Sequence, residues 1–159
     1  DTDIIIDAKE GWDSATYQQL APVLVRLGVK MVEQPFPAGD DESLLGLDRV
    51  LPVCADESCH DRQSLPKLVG KYDMVNIKLD KAGGLTESLK LRHEAEKLGF
   101  EIMVGCMVGS SLAMAPATII AQGVAYTDLD GPLLLAEDRA TPLTFDERCV
   151  FPPEPSLWG

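Results

Sequence analysis

Residues 53–78 read VCADESCHDRQSLPKLVGKYDMVNIK, and the architecture follows from them. A short apolar run, Val53–Asp56, ends in a carboxylate; Ser64–Val69 has the spacing of a helical turn; a second apolar run, Met74–Lys78, ends in an amine. Strand, loop, helix and strand in that order are the unit of a parallel α/β sheet. Outward from this unit, further strands are expected at Ile4–Asp7, Lys30–Glu33, Glu101–Val104 and Tyr126–Asp128, and further helices at Ser14–Leu27, Glu42–Val50, Leu85–Leu98 and Ser111–Gln122. In Leu85–Leu98, the residues Leu85, Leu89, Leu91, Ala95 and Leu98 approximate an apolar stripe, and Gly99 stops the helix.

The strand ends recur at 26 residues (Asp7 to Glu33), 23 (to Asp56), 22 (to Lys78) and 50 (to Asp128), the last leaving room for two units. Six successive parallel units without a reversal predict a (β/α) barrel of the TIM type with about six of its eight units present, because a closed barrel needs eight strands and about 250 residues. An open six-stranded sheet is the alternative. Residues 1–131 are expected to form the partial barrel. Residues 132–159, with Pro152, Pro153 and Pro155, read as a C-terminal extension.

Fourteen basic against 26 acidic residues, net charge -12, disfavour nucleic acid and an anionic membrane face, both of which need clustered Lys and Arg. With 45% hydrophobic and 25% charged residues the chain can bury a substantial core. The longest uncharged stretch, Ile102–Ala125, is interrupted by Gly, Ser and Pro and is not expected to span a membrane. Residues 1–12 carry four carboxylates and do not resemble a secretory signal. Cys54, Cys59, Cys106 and Cys149 form no C-x-x-C pair, which suits reduced thiols and a cytoplasmic location.

The fragments IIID, KMVEQP, VCADES, VNIK and TDLD carry the chemistry. A strand ending in one carboxylate also reads as a helix N-cap. Three on adjacent strands, Asp7, Glu33 and Asp56, would converge on one barrel rim and repel one another unless a cation or protons intervene. Oxygen ligands without His or Cys suit a hard divalent ion, Mg²⁺ best. Lys78 ends the next strand and points to the same mouth, as a general base beside the dication or as an ion-pair partner of one acid. Lys81 is expected to be solvated or paired with Asp80. Asp128 and Asp130 read either as a D-G turn with Gly131 or as two carboxylates awaiting a cationic ligand group. Ser110 and Ser111 offer N–H groups to an anion or simply cap a helix. His60 and His93 read as surface residues.

The order D…E…D-E-S…N-x-K-x-x-K-x-G-G…G-C-M-V-G-S…D-L-D-G-P resembles the barrel domain of the enolase superfamily, in its muconate-lactonising subgroup and, within that, the dipeptide epimerases acting on L-Ala-D/L-Glu and similar dipeptides. The resemblance covers nearly the whole chain. It implies that Asp7, Glu33 and Asp56 hold Mg²⁺, that Lys78 is a catalytic base, that Asp128 and Asp130 receive the α-ammonium of the dipeptide, and that Cys106 to Val108 line the substrate pocket. The reaction implied is removal of the proton α to a carboxylate and its return on the opposite face, through a metal-stabilised enediolate, the solution the enolase superfamily exemplifies. N-acylamino-acid racemase, o-succinylbenzoate synthase and muconate cycloisomerase activities belong to the same subgroup. A degenerate, non-catalytic barrel is the reading from outside the enzymes.

Two departures accompany the resemblance. The second base, a lysine of a K-x-K strand end, and the N-terminal capping domain have no counterpart in residues 1–159. The chain is therefore expected to be inactive alone, its extension packing toward that domain, and its open edges covered by the missing part or by a homo-oligomer. Where the family usually has D-x-N, this sequence has Asp7-Ala8-Lys9. With a period of two, Lys9 would enter the metal site and lower cation affinity; with the strand ending at Asp7, it pairs harmlessly with Glu10. The second placement is the one expected.

Overall fold

The computed structural model describes residues 2–147 and 149–159. Six strands, β1 (Ile4–Asp7), β2 (Val29–Glu33), β3 (Val53–Ala55), β4 (Met74–Ile77), β5 (Glu101–Val104) and β6 (Tyr126–Thr127), lie side by side in chain order. Every pairing is parallel. The sheet curls into part of a (β/α) barrel, as expected.

The two sheet faces differ in what they bury. Alternation along the strands places Met31, Cys54, Met74 and Met103 on one side, where they form a separate buried cluster with Ile5 and Tyr126 packed against it. This is the barrel interior. Val32, Val53, Ala55, Val75, Ile77, Ile102 and Val104 face the other way, into the larger core shared with the helices.

The helices are α1 (Ser14–Arg26), α2 (Leu65–Leu68), α3 (Leu79–Ala82), α4 (Leu85–Lys97), α5 (Ser111–Met114) and α6 (Ala117–Ile120). Asp13 caps α1, its carboxylate accepting the Thr16 N–H at 2.8 Å. On α4 the buried residues are Ser88, Leu91 and Ala95, while Leu89 and Leu98 are exposed. The expected stripe is corrected accordingly, since Leu89 lies more than a quarter turn from the Leu91–Ala95 line.

Three helix boundaries depart from expectation. Only a 3₁₀ turn, Asp41–Leu44, forms in place of Glu42–Val50, which contains Gly46. Ser111–Gln122 is broken into α5 and α6 at Pro116, which lacks the N–H an unbroken helix would use. The short helix α3, immediately after Lys78, was not anticipated.

The extension joins the barrel through Ser111, whose N–H donates to Asp138 Oδ1 at 2.9 Å and whose hydroxyl donates to Asp138 Oδ2. The same hydroxyl accepts the Leu143 N–H at 2.8 Å, and Leu143 is buried. This side chain therefore ties down the chain's own tail, and its N–H is already taken by a carboxylate.

Candidate active site

The strand ends rise like steps around the curl. Asp7 is in register with Glu33, but Glu33 faces Cys54, so Asp56 stands two residues further along. Cys54 in turn faces Met74, and Asn76 faces Met103, which carries Lys78 to the level of Gly105. Period-two alternation then puts Asp7, Glu33, Asp56, Asn76, Lys78 and Asp128 on the concave face, above the methionine layer.

Asp56 is the hub. Its Oδ2 accepts from Lys78 Nζ at 2.6 Å and its Oδ1 from Lys81 Nζ at 2.6 Å, with all three side chains buried. Burial alone would raise its carboxyl, but the Lys81 and Lys78 ammoniums hold it down at about 2. Lys81 also donates to the carbonyls of Asp56 (2.6 Å) and Asn76 (3.2 Å). The expectation that Lys81 is solvated or paired with Asp80 is thus overturned: α3 turns the chain back over the strand ends and buries the ammonium there.

Glu33 accepts from Asn76 Nδ2 at 2.7 Å, a bond that passes over β3. Burial pushes the Glu33 carboxyl up to about 7; the Asn76 bond opposes the rise, while Asp56 and Asp7 add to it. Gly105 makes room beside this pair. A Cβ there would lie 2.7 Å from Asn76 Oδ1, 2.8 Å from its Nδ2 and 3.1 Å from Lys78 Cε.

Lys9 does not pair with Glu10. Its ammonium lies 2.6 Å from Asp7 Oδ2, 3.4 Å from Asp56 Oδ2 and 3.5 Å from Glu57 Oε1. Glu10 instead accepts the Ala38 N–H at 2.6 Å. The cause is a left-handed turn, φ 47° at Lys9 and 60° at Glu10, which folds the residues after β1 back toward the mouth.

A buried network that sequence reasoning missed holds Asp56 from behind. Gln34, itself left-handed at φ 33° and wholly buried, accepts the N–H groups of Asp56 (2.9 Å) and Ser58 (3.1 Å) on its side-chain oxygen. Its amide donates to Phe36 O, Ser58 Oγ and Tyr72 Oη at 2.9–3.0 Å. Asp41 closes the network, accepting from Ser58 Oγ and Tyr72 Oη at 2.6 Å each. Asn76 was legible, being two residues before Lys78 in VNIK; Gln34 follows β2 and carried no signal of its turned backbone.

The carboxylates carry the donor chemistry of a Mg²⁺ site: oxygen ligands, two of them buried, with a cation already between Asp7 and Asp56 in the form of the Lys9 ammonium. Among the described residues no three His, Cys, Asp or Glu side chains converge closely enough to hold an ion. The ammoniums of Lys9, Lys78 and Lys81 share the negative charge in this arrangement.

Asp128 and Asp130 line a cavity of about 430 Å³ with Leu133, Phe145 and Val150, between β6, α6 and the extension. Asp7, Glu33, Asp56 and Lys78 do not line it. Burial and the neighbouring Asp130 push the Asp128 carboxyl up, and Lys78 partly offsets them. Cys106 is half-buried behind Gly131, where a Cβ would meet Met107 O at 2.7 Å, and Val108 stands on the rim, 66% exposed. His60 and His93 are exposed, as expected. Cys54, Cys59, Cys106 and Cys149 are free thiols. Among the described residues no helix is long and apolar enough to cross a membrane.

Comparison with known proteins bears on this arrangement. The chain is 50% identical over 155 residues to an N-acetyl-D-glutamate racemase of Pseudoalteromonas, covering 98% of this chain and 49% of the relative. It is 48% identical to the L-Ala-D/L-Glu epimerase of Escherichia coli, over 91% of this chain and 45% of the relative. The chain thus spans about half the length of the curated relatives it matches. Among solved structures, an enolase family member from Agrobacterium tumefaciens with homology to dipeptide epimerases, holding sodium and L-Ala-L-Glu, superposes with a TM-score of 0.96 at 51% identity, over 99% of this chain and 48% of that one. A dipeptide epimerase from Methylococcus capsulatus complexed with Mg and L-Arg-D-Lys gives a TM-score of 0.82 at 32% identity, over 87% and 41%. The profile of the enolase C-terminal domain-like family matches residues 1–154, and the chain belongs to that family.

Proposed function

We propose that this chain is the metal-binding, lysine-bearing part of a Mg²⁺-dependent dipeptide epimerase acting on L-Ala-D/L-Glu-like substrates. The observation that carries the reading is the buried contact of Lys78 with Asp56, at 2.6 Å, which anchors an amine at the strand-end mouth beside the carboxylates. Asp7, Glu33 and Asp56 would hold the ion. Its positive charge, when bound, lowers the cost of the anion left when a substrate carboxylate loses its α-proton. Lys78 takes or returns that proton on one face, and Asn76 and Gln34 keep Glu33 and Asp56 in place. Asp128 and Asp130, two neighbouring carboxylates of which Asp128 is pushed up by burial and by Asp130, would receive the cationic α-ammonium of a dipeptide.

The similarity to an N-acetyl-D-glutamate racemase supports a second reading, in which the substrate is an N-acylated amino acid and that carboxylate pair meets no ammonium. Both readings need a base on the opposite face and a cover over the mouth, to be supplied alongside Lys78 by further chain or a partner. In the same reading residues 1–131 are the catalytic unit and 132–159 an extension reaching toward the cover. The free thiols suit a cytoplasmic place for the protein on this reading, and the edges of β1 and β6 would be covered by further chain or a second copy.

Proton exchange tests the reading. Residues 1–159, joined to the chain or partner that supplies the second base and the cover, should with Mg²⁺ exchange the α-proton of dipeptides for solvent deuterium, seen by NMR or mass spectrometry. Exchange confined to N-acyl amino acids would favour the second reading, and none with either class would remove both.

A further inference from the structure

We propose that Lys9 is a resident counter-cation of the carboxylate cluster, which a metal ion must displace from Asp7 and Asp56 before it can bind. The inference rests on the reading of Asp7, Glu33 and Asp56 as ligands. It concerns what stands in their way.

Three observations converge. First, the Lys9 ammonium occupies the gap between the two carboxylates, 2.6 Å from Asp7 Oδ2 and 3.4 Å from Asp56 Oδ2. A dication placed against the same oxygens would face that positive charge at contact distance.

Second, the backbone commits Lys9 to this position. The Lys9 N–H donates to Asp7 Oδ1 at 2.9 Å, Ala8 N–H to Glu33 O at 3.0 Å, and Glu10 N–H to Gln34 O at 2.9 Å. These bonds hold two consecutive non-glycine residues in the left-handed region. The loop thus carries the lysine stem toward the strand ends, where a free surface lysine would be under no constraint to lie.

Third, the three lysines of the mouth differ in how they can leave. The side chains of Lys78 and Lys81 are 10% and 8% exposed, and both are held on Asp56 at 2.6 Å. That of Lys9 is 59% exposed, so its ammonium can withdraw without opening the core. Glu57 stands ready to receive it, with Oε1 at 3.5 Å and Oε2 buried without a hydrogen-bond partner. A lysine moved onto Glu57 frees Asp7 Oδ2, while the Lys9 N–H stays on Oδ1, and leaves Asp56 to the ion and the two buried amines.

Calorimetric titration of Mg²⁺ into the full chain, at one pH and ionic strength, tests the proposal without any reference to turnover. Lys9→Gln and Lys9→Ala should each bind Mg²⁺ on the order of tenfold more tightly than the wild type, and Lys9→Arg should stay close to it, because a charge facing a dication at a few ångströms is being removed or kept. Equal affinity in Lys9→Gln, Lys9→Ala and wild type, or weaker binding in both variants, would overturn the inference while leaving the ligand assignment standing. If neither wild type nor any variant binds Mg²⁺, that assignment falls and takes the inference with it.

Discussion

Lys78 and Asp56, which end neighbouring strands, meet as a buried ion pair at 2.6 Å, and Lys81 meets the other oxygen of the same carboxylate at the same distance. One carboxylate thus serves two ammoniums. Losing either lysine leaves Asp56 still paired, so the roles of the two amines can be separated by substitution.

Lys78→Ala should cut α-proton exchange by about a hundredfold to ten-thousandfold, as expected for a proton-transfer group. Mg²⁺ binding should persist, because Lys81 continues to neutralise Asp56. Exchange rates and calorimetry on the same variant decide the matter; normal turnover would place the base elsewhere.

Asp130→Asn should weaken dipeptides more than N-acylated amino acids, which lack the ammonium that the Asp128–Asp130 pair would receive. The comparison to make is kcat/KM for the two classes. Equal losses would reduce the pair to a turn at Gly131.

Gln34→Leu should destabilise the fold by about 2–3 kcal/mol, since it strands the N–H groups of Asp56 and Ser58 and the Phe36 carbonyl in the interior. Denaturant unfolding measures this. Mg²⁺ binding should weaken in parallel, because the Gln34 side-chain oxygen holds the N–H groups on both sides of Glu57.

Gly105→Ala should cost about 1–3 kcal/mol of stability through overpacking against Asn76 and Lys78. Proton exchange should fall with it as Lys78 is pushed off Asp56. Unchanged melting and exchange would show that the neighbours yield freely.

Glu33 makes the metal-free protein pH-sensitive. Its folded carboxyl, raised to about 7 by burial with Asp56 and Asp7 adding, holds a proton that the unfolded chain releases near 4.5. Stability should therefore fall as pH rises from about 4.5 through about 7 and level off above, by at most ~3 kcal/mol. Asp56, held near 2, acts in the opposite sense but only below about pH 4. A falling melting temperature between pH 5 and 7.5, flattened by Glu33→Gln, is the expected result; a flat wild-type profile would contradict it.

The repeating interval between strand ends, and the charged residue closing most of the runs, were legible in the chain because both are local. A parallel strand is a short apolar run, and where it stops is where water begins. From IIID, KMVEQP, VCADES and VNIK alone, three acids and a lysine could be assigned to one rim. What local pattern cannot carry is the height of each strand against its neighbour and the direction of a loop after it. The register steps that lift Asp56 above Glu33, the left-handed turn that sends Lys9 toward Asp56, the helix α3 that buries Lys81 and the twist of Gln34 beneath Asp56 all involve bonds between residues far apart in sequence. Only the folded sheet decides which of several charges share a carboxylate, because ion pairing depends on distance through space and each of those distances was set by the curl of the barrel.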